Sequence, residues 1–577
     1  MTRDDDLRVR IGRVRSRGGL HERPFITQAL VAAQKAGGFK SRSRRSGRST
    51  FGRGRTATFA AARLLNDRSR GAMVKARVVR HGLKRAPLGP HLDYLRRDGV
   101  TKDGAAGRMF DAEHDATDHR AFADRCEGDR HHFRFIVSPD DAEQLSDLKA
   151  FTRDLMAHAE RDLGTKLDWV AVDHWNTEYP HIHVIVRGKA DDGRDLVIAR
   201  DYISQGLRAR AGHLVTLELG SRSDFEIRRG LDAQVEADRW TKLDRVLAAE
   251  AAQHDRVVDL RPQAGGPTGG PAQLALIGRM RKLERLGLAE PLGPAQWHLS
   301  EAAEPTMRAL GERNDIIKRI HRALTEQHIE RSVSDYILDE GKDTPPIVGR
   351  LVARGLDHEL NATAYAVIDG VDGHTHHIRL PDLDATSDAR PGAIVELRRF
   401  EDAAGRRRVA LAVRSDLPLG AQVDASGATW LDRQLVAREP GSLSSGGFGR
   451  EVREAMDART EHLIGEGLAR RQGQRTVFAR DLLDTLRRRE LDTTAGQVAR
   501  TAGLPYRPAG VGETVAGVYR QRVNLSSGRF AMIDDGLGFS LVPWSHSLER
   551  HLGRHVSGIA EAGRIEWNFG RRRGLSI

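Results

Sequence analysis

The chain has 577 residues and a formal net charge of +13, which is long enough for several domains. Its single cysteine, Cys126, excludes internal disulfides and cysteine-rich zinc modules and suits a reducing cytoplasm. No apolar run approaches about 18 residues and no signal-peptide core opens the sequence. We therefore expect a cytoplasmic protein without membrane insertion.

The positive charge is concentrated at the start of the chain. Residues 1–90 hold 23 Lys/Arg against 5 Asp/Glu, a charge of +18, so residues 91–577 sum to −5. The centre of this region is too rich in Gly, Ser and Arg to bury a core. We predict a basic, largely disordered leader over residues 1–74, whose residues 34–72 lie along nucleic-acid phosphates. The alternative is a charged segment that is simply solvated.

The first chemically suggestive residue is Tyr94. Residues 91–99, His-Leu-Asp-Tyr-Leu-Arg-Arg-Asp-Gly, are typical of a short amphipathic helix closed by glycine. A tyrosine in such a helix is ordinarily a packing residue with its hydroxyl at the surface. Beside a metal, however, a phenolate is a competent nucleophile towards phosphorus.

An apolar strand over residues 133–137 follows, ending in Ser138-Pro139. These two residues predict the N-cap and first turn of a helix whose apolar face includes Leu145 and Phe151. A helix N-terminus also favours a phosphate, so Ser138 acts as a cap alone or as a cap and a DNA contact. Alternation could place His132 on the functional face of this strand, a question the sequence leaves open.

Two histidines stand two residues apart in a β-branched run, His181-Ile-His183-Val-Ile-Val. Residues so spaced share one face of a strand. A strand-like run at 169–172 and a turn at 175–180 predict a hairpin that brings His174 beside this pair. Three neutral imidazoles with an open fourth position are typical of a catalytic metal site, whereas an isolated pair is common in half-buried strands. We expect the other histidines, at 114, 119, 131 and 132 and at 374, 376 and 377, on the solvated surface.

The remainder of the chain is predicted to form smaller modules. Residues 365–373 resemble residues 530–538, which suggests two related β modules, although ordinary hairpin chemistry would give a similar pattern. A helix, a Gly-Leu turn and a tryptophan-containing strand follow a Pro/Gly linker and indicate a winged helix or a plain helical module. The predicted segments are a leader (1–74), a catalytic domain (75–220), a helical extension (221–261), a linker (262–271), a helical or winged-helix module (272–345), a small β-barrel-like module (346–435), a helical segment (436–505) and a second small β module (506–577).

Three of these motifs together resemble a known family, the relaxases of mobilisable plasmids and integrative elements, in the group typified by the Ti-plasmid border endonuclease. The family's tyrosine motif, L-x-Y-L-x-R-x-G, matches residues 92–99, and its strand ending in Ser matches residues 135–139. Its histidine motif matches at His174, Pro180, His181 and His183. The order tyrosine, serine, histidines is the relaxase order. The similarity covers about residues 75–220, and the rest resembles a domain of unknown function that commonly follows such domains.

The resemblance implies an α+β His-hydrophobic-His (HUH) endonuclease, with an antiparallel sheet, histidines on its central strands and helices on one face. Tyr94 would be the nucleophile, and His174, His181 and His183 would hold Mg²⁺ or Mn²⁺. Outer contacts to metal or DNA would come from Ser138, Asn176, Arg187, Arg96 and Arg97. Asn176 stands where the family usually has Asp, and Arg187 where it often has Asn.

The implied activity is the nicking of single-stranded DNA at an origin of transfer through a 5′-phosphotyrosyl intermediate. The implied partners are accessory relaxosome proteins and a type IV secretion coupling protein, and the implied location is the bacterial cytoplasm, with or without export into a recipient cell. No G-x-x-x-x-G-K-[ST] phosphate loop is present, in keeping with a reaction that needs no ATP. Two alternatives remain: an initiator or transposase of the same fold that uses Tyr202, and a non-catalytic DNA-binding protein.

Overall fold

The four strands that carry the candidate site form one antiparallel sheet in a computed structural model of the chain. The structure describes residues 53–62, 65, 68–81, 88–96, 100–175, 179–262, 270–338, 346–358, 360–361, 363–402, 405–438, 441–561 and 563–569. These residues divide into two compact units, the first ending at Arg313 and the second beginning at Asn314. The molecule is a mixed α/β protein with several antiparallel sheets.

The site sheet has the strand order β1-β2-β4-β3, and every neighbouring pair is antiparallel. Its strands are β1 (Ala72–Arg80), β2 (His131–Pro139), β3 (Leu167–His174) and β4 (His181–Ala190). Aromatic and β-branched residues dominate β2 and β4, which suits strands buried on both sides. The histidine pair lies on the central strand β4, as predicted, but His174 ends the edge strand β3, so the prediction that all three lie on central strands was wrong.

Helices pack against both faces of this sheet, which corrects the prediction of helices on one face. One face packs on α4 (Leu148–Leu163) and α5 (Leu207–Leu219), burying alternate strand residues such as Phe135 and Val184. The other face packs on α2 (Leu88–Leu95) and α3 (His119–Arg125), where Val170, Val172 and Ile185 are buried. Because strand side chains alternate between faces, His181 and His183 share the second face with Ile185.

The leader prediction is wrong at its C-terminal end, and residues 1–52 lie outside the described residues. Helix α1 (Arg55–Ala62) buries Thr58 and Ala61, and β1 begins at Ala72, inside the segment expected to be disordered. The chain approaches closely at Gly54, where a Cβ would lie 2.8 Å from the Tyr202 ring. Small side chains therefore let this part of a basic segment join the core.

The first unit continues with α6 (Asp224–Glu236), α7 (Lys242–Ala251), β5 (Val257–Asp259), α8 (Pro271–Arg285), β6 (Ala289–Gly293), β7 (Gln296–Leu299) and α9 (Ala303–Glu326), the last of which extends into the second unit. The short strands pair in the order β5-β7-β6. The predicted linker at 262–271 falls mostly outside the described residues, and α8 begins at its last proline.

The second unit contains two larger, mainly antiparallel sheets separated by helices. The first is built from β8 (Tyr336–Leu338), β9 (Ile347–His358), β10 (Thr363–Gly370), β11 (Thr375–Leu380), β12 (Ile394–Glu401) and β13 (Arg407–Ser415). Then come α10 (Leu419–Val423), α11 (Trp430–Leu435), α12 (Gly447–Gly465), the hairpin β14 (Ala469–Gln472) and β15 (Arg475–Phe478), and α13 (Leu482–Ala502). The last sheet comprises β16 (Thr514–Leu525), β17 (Gly528–Asp534), β18 (Phe539–Pro543), β19 (His555–Glu561) and β20 (Arg564–Asn568).

The two larger sheets repeat one topology. Their orders are β13-β12-β9-β10-β11, with β8 added in parallel at the end, and β20-β19-β16-β17-β18. The similar segments noted in the sequence occupy β10 and β17, which are equivalent strands in these orders. Two glycines also correspond: a Cβ on Gly349 would meet the Asp369 carbonyl oxygen at 2.2 Å, and one on Gly517 the Asp534 carbonyl oxygen at 2.3 Å. Shared strand order and shared close approaches indicate duplication.

The helices that precede each sheet repeat as well. In the first copy, Arg279 on α8 donates to both carboxylate oxygens of Asp244 and to carbonyls of residues 235, 237 and 239. In the second, Arg459 on α12 bonds in the same way to Asp432 and to carbonyls of residues 423, 425 and 427. Each aspartate also closes a capping box with a threonine three residues earlier. The duplication thus extends from the helices through the sheets.

Candidate metal centre

Three buried histidines converge at the end of the site sheet. His174 and His181 are paired across β3 and β4, and His183 lies two residues further along the same face. Their candidate ligand nitrogens all lie within 4.8 Å of one another. The ring centroids are 4.5 Å apart for His174 and His183, and 5.0 Å apart for His181 and His183. Nitrogen atoms at this spacing can share one cation.

Backbone carbonyls orient two of these rings. His174 Nε2 donates to the Leu95 carbonyl at 2.8 Å, and His181 Nδ1 donates to the Tyr179 carbonyl at 3.0 Å. These bonds place the proton on one nitrogen of each ring and a lone pair on the other, as in many metal-binding histidines. His181 Nε2 then lies 3.2 Å from His183 Nε2. Three neutral imidazoles fit a divalent transition ion better than Mg²⁺, which prefers oxygen ligands.

The Tyr94 helix is attached directly to this cluster. Leu95, whose carbonyl accepts from His174, ends α2, and Tyr94 is the residue before it. Leu92 and Leu95 are fully buried against β3 and β4, while Tyr94 is half-buried at the edge of the same cluster. Packing of α2 on the sheet therefore places the backbone of Tyr94 next to Leu95, the residue that is hydrogen-bonded to His174.

Three of the predicted outer contacts to metal or DNA are Arg96, Arg97 and Asn176. Arg97 and Asn176 lie outside the described residues. Arg96 contacts the ring nitrogens of His119 at 2.9 and 3.1 Å, and His119 Nε2 lies 2.7 Å from an Asp93 carboxylate oxygen. Arg96 thus joins α2 to α3, and a DNA contact from it stays a prediction.

Ser138 has a different structural role from the one predicted. It is the penultimate residue of β2, paired with Met73 on β1, so the N-cap prediction was wrong. The actual cap of α4 is Asp147, whose carboxylate accepts from the Lys149 amide. The buried Ser138 hydroxyl instead donates to the carbonyl of Pro180, directly before His181. Ser138 therefore anchors the chain where it enters the histidine strand.

Arg187, which the structure describes, makes no contact with the three histidines. It lies four residues beyond His183 on β4, a separation of about 13 Å along a strand. Its guanidinium donates to the buried Asp129 at 2.8 Å, and this hydrogen bond raises the pKa of Arg187. Arg187 therefore makes no outer contact with the histidine cluster, and a DNA contact from it stays a prediction.

Tyr202 belongs to the opposite face of the sheet. Its side chain is buried in the cluster beneath α4 and α5, and its hydroxyl donates to Asp162 at 2.8 Å. Burial and the Asp162 charge raise the pKa of Tyr202 well above its ordinary value. A buried phenol with a raised pKa, separated from the histidines by the sheet, is poorly placed for attack on a phosphate.

Sequence reasoning missed a basic patch on the histidine face. Arg134 on β2 is 7% exposed, and it is paired directly with Arg77 on β1. Lys75 lies on the same face, opposite Ile136, which in turn pairs with His183. Alternation of side chains could have placed these residues on one face of each strand. The register of β1 with β2, which puts them beside the histidines, is not visible in the sequence.

Several histidines expected at the surface are buried, so that prediction was wrong for them. His119 and His131 are at most 9% exposed, and His132 lies on the site face, where it accepts from Arg134 Nε at 3.0 Å. Burial and neighbouring positive charges lower the pKa of His132 to about 2. His376 and His377 are also buried, whereas His114 and His374 are exposed. Four of these buried rings lie against a partner distant in sequence, whereas His376 lies against Asp372, four residues before it.

The C-terminal half of the chain identifies its family. Residues 276–404 and 398–576 match the family model described as a protein of unknown function, DUF3363. The matches span just over half of the 577 residues, and the chain belongs to this family. No curated protein and no solved structure matches the chain. The histidine cluster lies before the matched residues, so its chemistry must be argued from its own geometry.

The sequence predicts no membrane insertion, and the helices can be compared with that prediction. Across the described parts of the chain, no helix combines the length and the apolar character that crossing a bilayer requires.

Proposed function

We propose that this protein nicks single-stranded DNA at an origin of transfer, with Tyr94 as the nucleophile. The observation that carries the proposal is the hydrogen bond from His174 to the carbonyl of Leu95, the residue after Tyr94. It attaches the tyrosine helix to a cluster of three histidines whose ligand atoms lie within 4.8 Å. A nucleophile beside a cation site is what phosphodiester cleavage without ATP requires.

The reaction exchanges one phosphodiester for another. The Tyr94 oxygen bonds to phosphorus while the bond from phosphorus to the O3′ atom breaks, the phenol loses its proton and O3′ gains one. A divalent ion held by His174, His181 and His183 would stabilise negative charge on the non-bridging oxygens. The Leu95 and Tyr179 carbonyls keep two of those rings in the tautomers needed, and Ser138 holds the strand entry at Pro180.

The architecture supports an HUH endonuclease assignment for the site domain. Two histidines alternate with apolar residues on a central antiparallel strand, and a third faces them from the neighbouring strand. The three-stranded order β5-β7-β6 beside α7 and α8 supports a winged-helix assignment for the next module. The duplicated five-stranded orders support two small barrel-like modules. The proposed partners are accessory relaxosome proteins and a secretion coupling protein. The proposed location is the bacterial cytoplasm.

The test uses single-stranded oligonucleotides tiled over the DNA that flanks the gene, each labelled separately at its 3′ or 5′ end. With Mn²⁺ or Mg²⁺, we expect a denaturation-resistant adduct carrying only the 3′ label, and a released fragment carrying the 5′ label. Tyr94→Phe should abolish the adduct, and EDTA or His183→Gln should reduce it at least about 100-fold, since metal assistance contributes several kcal/mol.

Tyr202→Phe is the matched control, because it removes a tyrosine hydroxyl on the opposite face of the sheet. It should leave the adduct intact. Loss of the adduct in Tyr202→Phe but not in Tyr94→Phe would assign the nucleophile to the initiator-like alternative. If folded wild-type protein gives no adduct with any oligonucleotide or metal, the nicking proposal is overturned in favour of a non-catalytic DNA-binding protein.

A further inference from the structure

Two arginines face each other on neighbouring strands beside the histidine cluster. Arg134 on β2 and Arg77 on β1 are directly paired in the sheet register, and both side chains lie on the histidine face. Side chains in this relation have Cβ atoms about 4.5–5.5 Å apart, and like charges there are destabilising.

Among the described residues, no acidic side chain is bonded to Arg134. Its side chain is nine-tenths buried, its Nε donates to His132, and none of the described residues offers an acceptor to its Nη1 or Nη2 atoms. Burial together with the Arg77 charge lowers the pKa of Arg134 to about 10. A buried guanidinium with two uncommitted donor groups is a strong receptor for an oxyanion.

A short hydrogen-bond chain fixes the direction in which Arg134 points. Because His132 Nε2 accepts from Arg134, the His132 proton lies on Nδ1, which is 2.7 Å from His81 Nε2 and donates to it. The neutral His132 therefore orients Arg134 without cancelling its charge. This arrangement leaves the far edge of the guanidinium for a ligand.

The two arginines lie close to the histidines and on the same face of the sheet. Ile136 pairs with His183, and Arg134 precedes Ile136 by two residues, a separation of about 7 Å along the strand. Lys75, opposite Ile136, continues the positive charge between the two sites. A nucleic-acid strand that reaches the histidines would pass over these side chains.

We propose that Arg134 and Arg77 form a binding site for a backbone phosphate of single-stranded DNA, next to the phosphate that reaches the histidine cluster. Arg134 acts as a positioning residue: it fixes the strand and leaves the chemistry to Tyr94. The identity of the anion as a DNA phosphate rests on the proposed nicking function, whereas the anion site itself rests on the paired arginines.

The test is binding of a fluorescently labelled single-stranded 15-mer to the full chain in EDTA, where no cleavage interferes. Arg134→Gln should weaken binding at least about tenfold, as expected for loss of a charge-assisted hydrogen bond. It should also reduce the slope of log affinity against log salt by about 0.7, the value for one phosphate contact on a single strand. Arg134→Lys should retain most of the slope because it keeps the charge.

The matched control is Arg161→Gln, which removes an exposed arginine from α4 on the other face of the sheet and should leave binding unchanged. If Arg134→Gln fails to fold, the same measurement is made on Arg77→Gln, which removes the half-buried arginine of the pair. An unchanged salt slope in a folded Arg134→Gln or Arg77→Gln variant would overturn the inference, even if nicking is observed. Protection from heat by inorganic phosphate that depends on Arg134, without any effect on oligonucleotide affinity, would also overturn it.

Discussion

Histidines behave in two distinct ways in this molecule, and neighbouring groups decide which. The rings of His174, His181 and His183 turn their nitrogens towards one another, and carbonyl acceptors hold two of them. His132 and His377 are each bonded to an arginine that disfavours the protonated ring. The first arrangement brings together three rings whose lone pairs could hold a cation, and the second keeps a neutral ring as a structural acceptor.

The second arrangement predicts acid sensitivity at His377. Burial and Arg319 lower the pKa of His377 from about 6.5 to about 3. Above pH 6.5 the ring is neutral in both states, and as the pH falls from 6.5 towards 3 only the unfolded chain takes up this proton. Stability should therefore fall by on the order of 1.4 kcal/mol per pH unit in this window.

We expect His377→Phe, which preserves a ring against Tyr365, to show a flatter pH dependence between pH 6.5 and 4.5. The measurement is the opening free energy of β10 and β11 amides by hydrogen exchange. His374→Phe is the control at an exposed neighbouring position and should follow the wild type. Identical pH profiles for His377→Phe and wild type would contradict the account.

Sequence patterns could predict residues whose neighbours are local and missed those fixed by distant partners. The two-residue spacing of His181 and His183 dictates a shared strand face, and the short turn before them places His174 opposite. The pairing of Arg77 with Arg134 depends instead on the register of β1 with β2, which no local pattern encodes. The same holds for the burial of His119 by Asp93 and Arg96.

At the level of elements, local signals fail where strand pairing overrides them. Ser138-Pro139-Asp140-Asp141 carries every mark of a helix start, yet β1 pairs with β2 as far as Pro139. The helix begins nine residues later, at Leu148, with Asp147 as its cap. Proline is tolerated there because it is the last residue of the strand. A capping signal is therefore informative only when the preceding strand ends before it.

The duplicated helical elements predict matched stability effects. Arg279 with Asp244 and Arg459 with Asp432 are fully buried ion pairs, each with three further carbonyl acceptors. Removing one partner leaves a buried charge uncompensated, so Arg279→Met and Arg459→Met should each destabilise their own module by about 3–5 kcal/mol. Hydrogen exchange in α8 and α12 would locate each effect.

The second mutation in each pair separates charge from packing. Asp432→Leu added to Arg459→Met removes the uncompensated charge and should restore part of the lost stability. Arg261→Met, which breaks an exposed pair with Asp259, should leave both helices unaffected. If the double variant is no more stable than Arg459→Met alone, the carbonyl contacts rather than the ion pair hold the module together.

At the scale of the whole molecule, candidate chemistry and family membership occupy different parts of the chain. Every described residue of the histidine cluster, Tyr94 and the Arg134 patch lies before residue 184 and within the first unit. The DUF3363 matches begin at residue 276 and extend through the second unit. The excess of positive charge also lies within the first unit, in residues 1–90, which carry +18. Under the proposed function, DNA contact is therefore expected from the first unit.

This division predicts that residues 1–313 alone carry the reaction. The fragment keeps Arg70, whose buried side chain pairs with Asp141 and Glu226, and the Arg279 pair of the following module. We expect its adduct yield and oligonucleotide affinity to lie within about threefold of the full chain, since a threefold change is under 1 kcal/mol. The same fragment with Tyr94→Phe is the control and should form no adduct. If a folded 1–313 fragment binds the oligonucleotide but forms no adduct while the full chain does, the second unit takes part in catalysis, and the assignment of all the chemistry to the first unit is wrong.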